Sequence, residues 1–232
     1  MRHRPLPSIS PLPAPARSAV NAPLLHCAMP NLSELKSELL KGLVEKSVRR
    51  GSFTLASGAQ SDLYVDAKLT TLDPRCALLV GRIGWDIIRR TVAERDLRVD
   101  AIGGLTMGAD PIALSIGIAA QLENPADTPR VFNVRKESKK HGMLKNIEGN
   151  FRPGDSVVVI DDVITTGGST LQAIDKIEAD GGTVALAIVL VDRQEQDGRA
   201  RIEARGCPVI AIFTREEVLA AAAAAQPAPA AA

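Results

Sequence analysis

The sequence predicts an α/β domain built on a mostly parallel sheet with helices on both faces. Three observations carry that prediction. Apolar runs of strand length alternate with amphipathic runs of helix length from about residue 99 onward, the spacing of successive strand-helix-strand units. Residues 157–166, VVVIDDVITT, followed by Gly167, Gly168 and Ser169, drive four apolar β-formers into two adjacent carboxylates and a polar turn. That turn opens onto the amphipathic stretch 171–179. The longest purely apolar β-rich run, 184–191, has strand length only, well short of the roughly 18 residues a membrane helix requires.

The elements follow in order. Residues 1–30 hold seven of the fifteen prolines, with Arg2, Arg4 and Arg17 and no acid before Glu34, so they read as a disordered extension. Their Arg-rich, acid-free composition also fits a transit peptide, but three prolines in PLPAP spoil an amphipathic helix. Met29 as the true start is the expectation. Ser33 and Glu34 ahead of leucines at 35, 39, 40 and 43 predict a capped amphipathic helix to about residue 48. Residues 53–55 and 63–66 read as short strands around a Ser57-Gly58 turn, a small N-terminal hood. Pro74 announces a helix over 77–90. Then come a buried strand at 99–104, a helix at 107–120, strands at 130–135 and 156–160, a helix at 169–179, and strands at 183–191 and 209–213. The polar, basic, glycine-punctuated stretch 136–149 lies between two buried strands and reads as an active-site lid. The domain is expected to span 31–218, with 219–232 a low-complexity Ala/Pro tail.

Composition excludes several classes. With 28 Lys and Arg against 27 acids the chain offers no general surface for nucleic acid or membrane. Six aromatic residues in all cannot build a stacking platform for single strands. Cys27, Cys76 and Cys207 are far apart, odd in number and without C-x-x-C spacing, which argues against disulfides or a zinc site and for a reducing, cytoplasmic home.

In the 157–169 segment, Asp161 and Asp162 fall where a parallel strand meets its ligand crevice. Their carboxylates can accept from sugar hydroxyls, and the N–H groups of the following turn can surround a phosphate. Paired aspartates after a strand also serve as caps and turn formers, and that alternative stays open for the motif alone. No Gly-Lys-Ser/Thr loop and no G-x-G-x-x-G is present, which disfavours a nucleoside triphosphatase or a dinucleotide dehydrogenase.

VVVIDDVITTGGST resembles the phosphoribosyl pyrophosphate (PRPP) signature of type I phosphoribosyltransferases. Residues 53–66, FTLASGAQSDLYVD, and 135–142, RKESKKHG, are together similar to the orotate phosphoribosyltransferase family, and the resemblance runs from about 35 to 213. It implies the type I phosphoribosyltransferase fold and transfer of the phosphoribosyl group to orotate, giving orotidine 5′-monophosphate and pyrophosphate in pyrimidine biosynthesis. By the same resemblance PRPP is bound by Asp161, Asp162, Val163, Ile164, Thr165, Thr166, Gly167, Gly168 and Ser169, and by Arg135, Lys136, Lys139 and His141 of the lid. Lys139, His141, Asp161 and Asp162 are the implied catalytic residues, with Lys139 foremost. Thr165 and Arg193 would meet orotate, near the backbone of Tyr64 and Val65. Mg²⁺ would be held mainly through the substrate rather than by direct protein ligands, and the lid would be shared across a homodimer.

Taken alone, the Lys-rich stretch reads better as a solvated surface, and Arg193 as a strand-end surface arginine. Two departures stand out: Ala56 and Met107 occupy positions where many relatives have lysine. Lys68 is a candidate to restore one charge. The alternatives are a PRPP-sensing regulatory protein, which would carry a DNA-binding helix pair or basic face, and a purine-base transferase, which would lack the Arg-Lys-x-x-Lys-x-His lid.

Overall fold

The computed structural model describes residues 31–54, 60–137 and 146–225. Lys139, Lys140, His141, Ala56 and the first thirty residues lie outside them.

Helix α1 (Leu32–Ser47) buries Leu35, Leu39 and Leu43, the stripe its leucine spacing predicts. Its cap is Asn31 rather than Ser33: the Asn31 side chain accepts from the Glu34 N–H, and the Glu34 carboxylate accepts from the Asn31 N–H. Asn and Ser are equally good caps, so the spacing of a capping box, not the first hydroxyl, decides. The hood is an antiparallel pair, β1 (Val48–Thr54) and β2 (Gln60–Val65). A short helix α2 (Lys68–Thr71), which periodicity did not reveal, leads into α3 (Pro74–Arg95), capped by Asp73.

The main sheet has the order β5-β4-β3-β6-β7-β8. Its strands are β3 (Ala101–Leu105), β4 (Arg130–Val134), β5 (Ile147–Gly149), β6 (Ser156–Ile164), β7 (Thr183–Asp192) and β8 (Val209–Thr214). All pairs are parallel except the edge strand β5, which returns antiparallel to β4. That edge strand lies inside the stretch read as lid, so residues 147–149 of it are a sheet edge rather than loop, while 136, 137 and 146 are bends.

Alternation along the central strands sorts the core into two layers. Ile102, Val158, Ile160, Leu186, Ile188, Leu190 and Ile212 pack with α1, α3 and α4 (Asp110–Glu123). Ala101, Val157, Val159, Ala187 and Val189 point the other way, onto α5 (Gly168–Ala179) and α6 (Gly198–Glu203). Fully burying each Val or Ile of these layers stabilises the fold by about 1.5–3 kcal/mol. Helix α4 begins at Asp110, not at Met107, because residues 106–108 form a turn and Pro111 sits in the first helical turn. The last helix, α7 (Arg215–Ala224), has a Thr214/Glu217 capping box and buries Val218 and Ala222, so ordered packing crosses residue 219. Among the described residues no helix is long and apolar enough to cross a membrane.

Candidate active site

The aspartate pair does not follow its strand; it belongs to it. Pairing of β6 with β7 continues through Asp161↔Val189 and Val163↔Val191 to Ile164↔Asp192. The two carboxylates differ in burial while lining the same crevice. Asp161 is 5% exposed, its Oδ2 accepting from the Thr170 hydroxyl at 2.6 Å and its Oδ1 from the Asp162 N–H at 3.0 Å. Burial pushes the Asp161 carboxyl up to about 7; the Thr170 donor pulls it down, and the charge of Asp162 pushes it up again. Asp162 is half-buried and its Oδ1 accepts from the Val163 N–H at 2.9 Å.

These carboxylates form one wall of a crevice of about 430 Å³. Leu105, Thr106, Met107 and Gly108 at the end of β3 form another, and Lys68, Lys136 and Ser169 close the rim. The peptide bond between Thr106 and Met107 is cis. A Cβ at position 108 would lie 2.6 Å from Asp162 Oδ1, so glycine is what lets this turn lie against the carboxylate.

The turn after β6 departs in part from the expected phosphate cradle. Gly167 adopts φ +73° at the start of α5, and the Gly168 N–H is directed back to Thr166 Oγ1 at 3.3 Å. Arg201 holds the Thr166 carbonyl at 2.7 Å from outside. Ile164, expected in the PRPP-binding segment, is 1% exposed and packs in the core, its carbonyl accepting from the Arg193 N–H. Val163 packs beside the opposite core layer. Both are strand residues first, because the ladder continues past the aspartates. Thr165, Thr166 and Ser169 remain at the surface of the turn.

Lys68 stands where the sequence could only suggest it. Its Nζ lies 2.9 Å from Asp66, and Asp66, with a smaller contribution from Asp162, pushes the ammonium upward, which keeps it charged at the rim.

Arg193 is buried under the hood. Its Nη2 donates to the Leu63 carbonyl at 2.8 Å and pairs with Glu195 at 3.1 Å. The residues next to it concentrate strain: Gln194, Gln196 and Asp197 all have positive φ, each costing about 1–3 kcal/mol for a residue that is not glycine. Such strain persists where the surroundings over-determine it. Here they do, since a Cβ on Gly167 would lie 2.7 Å from the Gly198 carbonyl, and the two loops lock back to back.

Of the basic stretch, Arg135 and Lys136 are described. Arg135 pairs with Glu148 at 3.4 Å, and Lys136 reaches the crevice rim. Sequence reasoning counted Thr170 among the turn N–H groups for a phosphate but missed its hydroxyl bond to Asp161, and it missed Glu195, Gln172 and Lys176. Thr170 closes the VVVIDDVITTGGST signature, and its hydroxyl could have been suspected from there; the partners of Lys176 lie 41 and 40 residues away and could not.

No protein-family model matches the chain. It is 37% identical over 188 residues to the orotate phosphoribosyltransferase of Streptomyces coelicolor, covering 81% of this chain and 98% of that one. Among solved structures it is similar to orotate phosphoribosyltransferase of Mycobacterium tuberculosis with Fe(III) dicitrate, at 35% identity and a TM-score of 0.65, covering 79% of this chain and 98% of that one. The M. tuberculosis enzyme in complex with PRPP superposes at a TM-score of 0.62 and 32% identity, covering 79% and 98% of the two chains.

Proposed function

The chain belongs to the orotate phosphoribosyltransferase family, and from that premise we propose which residues carry each part of the reaction. The activity is glycosyl transfer: the 5-phosphoribosyl group of PRPP passes to orotate, releasing pyrophosphate, in pyrimidine biosynthesis. The observation that carries the assignment is the crevice where Asp161 and Asp162 face two lysines and a serine of the helix start.

The ribose hydroxyls donate to Asp161 and Asp162, and the turn at Thr165, Thr166, Gly167, Gly168 and Ser169 takes the 5-phosphate at the start of α5. The diphosphate lies toward Lys136 and Lys68, with Arg135, Lys139 and His141 completing its positive surroundings. Negative charge accumulates on that group as the C1–O bond breaks, so cations placed there stabilise the transition state more than the ground state. Enclosure also keeps water from an oxocarbenium-like sugar. A neighbouring carboxylate pair with a substrate rich in oxygen suits Mg²⁺, which prefers few protein ligands and retains water. Asp161 and Asp162 would hold the hydrated ion through the sugar hydroxyls, and when bound it neutralises diphosphate charge.

Orotate is proposed to lie beside Arg193 and Thr165, bordered by the backbone near Tyr64 and Val65. Arg193 would meet the orotate carboxylate with the guanidinium that Leu63 and Glu195 now orient. A homodimer is supported by the exposed stripe Leu114, Ile118 and Leu122 along α4, at 55%, 48% and 79% exposure. A cytoplasmic location is supported by Cys76 and Cys207, both free and buried.

The test is direct. Purified protein with PRPP and Mg²⁺ is given orotate, uracil or adenine in turn, and base consumption is followed by absorbance. Orotate alone should be consumed; use of adenine instead would overturn the substrate assignment. A second measurement probes Lys68, a cation lining the same crevice as Met107, where many relatives have lysine. Lys68→Ala should raise the Michaelis constant for PRPP on the order of fivefold, the scale of a half-exposed charge contact. An unchanged constant would remove Lys68 from the site.

A further inference from the structure

Helix α5 begins at the proposed phosphate turn and ends beside the root of the basic stretch. Its two ends touch parts of the site that the sequence separates by about thirty residues. Gln172 and Lys176, four apart and therefore on one face of α5, both reach the backbone that leaves β4. Gln172 Nε2 donates to the Lys136 carbonyl at 3.0 Å. Lys176 Nζ donates to the same carbonyl at 2.9 Å and to that of Arg135 at 2.5 Å. Just past the last turn, Asp180 accepts from the Asn146 side chain at 3.2 Å, while the Arg135 N–H donates to the Asn146 carbonyl at 2.9 Å. One helix thus grips both sides of the stem formed by Arg135 and Asn146.

The contact at Lys176 is chemically distinct from an ordinary surface pair. An ammonium bound to two successive carbonyls fixes the two peptide planes on either side of the Lys136 Cα, and with them the direction in which the Lys136 side chain leaves the backbone. Lys136 lines the crevice together with Asp161, Asp162 and Ser169. We propose that Lys176 is a positioning residue for phosphoribosyl transfer: it holds the Arg135–Lys136 backbone so that the Lys136 ammonium meets the diphosphate. The inference rests on the reading above that Lys136 binds PRPP. It adds a residue that touches no substrate and acts through Lys136.

The experiment compares Lys176→Met, Lys176→Arg, Lys136→Met and the Lys136→Met/Lys176→Met double variant in steady-state kinetics, with thermal unfolding of each. Methionine keeps the aliphatic stem and the helix propensity while deleting the donor. Lys176→Met should raise the Michaelis constant for PRPP roughly tenfold, the scale of a charged hydrogen bond, with that for orotate and the unfolding midpoint unchanged. Lys176→Arg should restore most of the loss. The double variant should be no worse than Lys136→Met alone, because a residue acting only through Lys136 has nothing left to position. Wild-type kinetics in Lys176→Met, an arginine variant no better than the methionine one, or losses that multiply in the double variant would each overturn the proposal. If Lys136→Met itself binds PRPP normally, the assignment of Lys136 falls and the role of Lys176 falls with it.

Discussion

Changing Asp161 and Asp162 together to asparagine is expected to abolish PRPP binding in titration calorimetry. Each carboxylate is proposed to accept from a ribose hydroxyl, and a hydrogen bond to a charged group contributes about 1.5–3 kcal/mol. Losing two such bonds weakens affinity by on the order of 10² to 10⁴-fold. The loss should not come from unfolding. Asparagine oxygens can still accept from the N–H groups of Asp162 and Val163, which the carboxylates now engage. Burial raises the Asp161 carboxyl, so its ionised form is costly in the fold, and a neutral isostere there should leave the unfolding midpoint at or above that of the parent at pH 8. The same shift sets the sign of a pH effect. Ionised Asp161 is the acceptor the sugar needs, so PRPP affinity should weaken as pH falls through about 7. Binding retained by the double variant would refute the hydroxyl-acceptor assignment.

Lys139→Ala should depress turnover by about 10² to 10³-fold, the cost of removing one donor aimed at developing charge, while PRPP affinity falls far less. The argument is differential: charge on the leaving diphosphate is greatest as the C1–O bond breaks, so a cation that meets it then acts mainly on kcat. Stopped-flow single turnover together with PRPP calorimetry separates the two quantities. Equal losses in both would make Lys139 a binding residue rather than a catalytic one.

Strand and helix alternation was legible because the central strands are buried on both faces and read as unbroken apolar runs, while α1, α3 and α5 carry a one-sided stripe. The short elements α2, α6 and β5 escaped because four- to six-residue helices and a three-residue edge strand span too little chain for a period to register. The placement of the strand end was also beyond periodicity. Asp161 and Asp162 look like a stop signal, yet the ladder with β7 continues through Ile164 and turns Ile164 into a core residue.

What the sequence determined by itself was the chemistry available: a carboxylate pair at a sheet's ligand edge, a glycine turn opening a helix, and a basic stretch between buried strands. Those signals are local, each fitting within about fifteen consecutive residues. Only the tertiary structure decided which groups meet. It buried Asp161 against Thr170 while leaving Asp162 half-buried, set Lys68 on the rim that Met107 cannot serve, tied Arg193 to the hood, and brought Lys176 to the carbonyls of Arg135 and Lys136. The reason is physical: the pleat and the crossovers of a parallel sheet bring residues tens of positions apart within hydrogen-bond reach, and no local pattern encodes that distance.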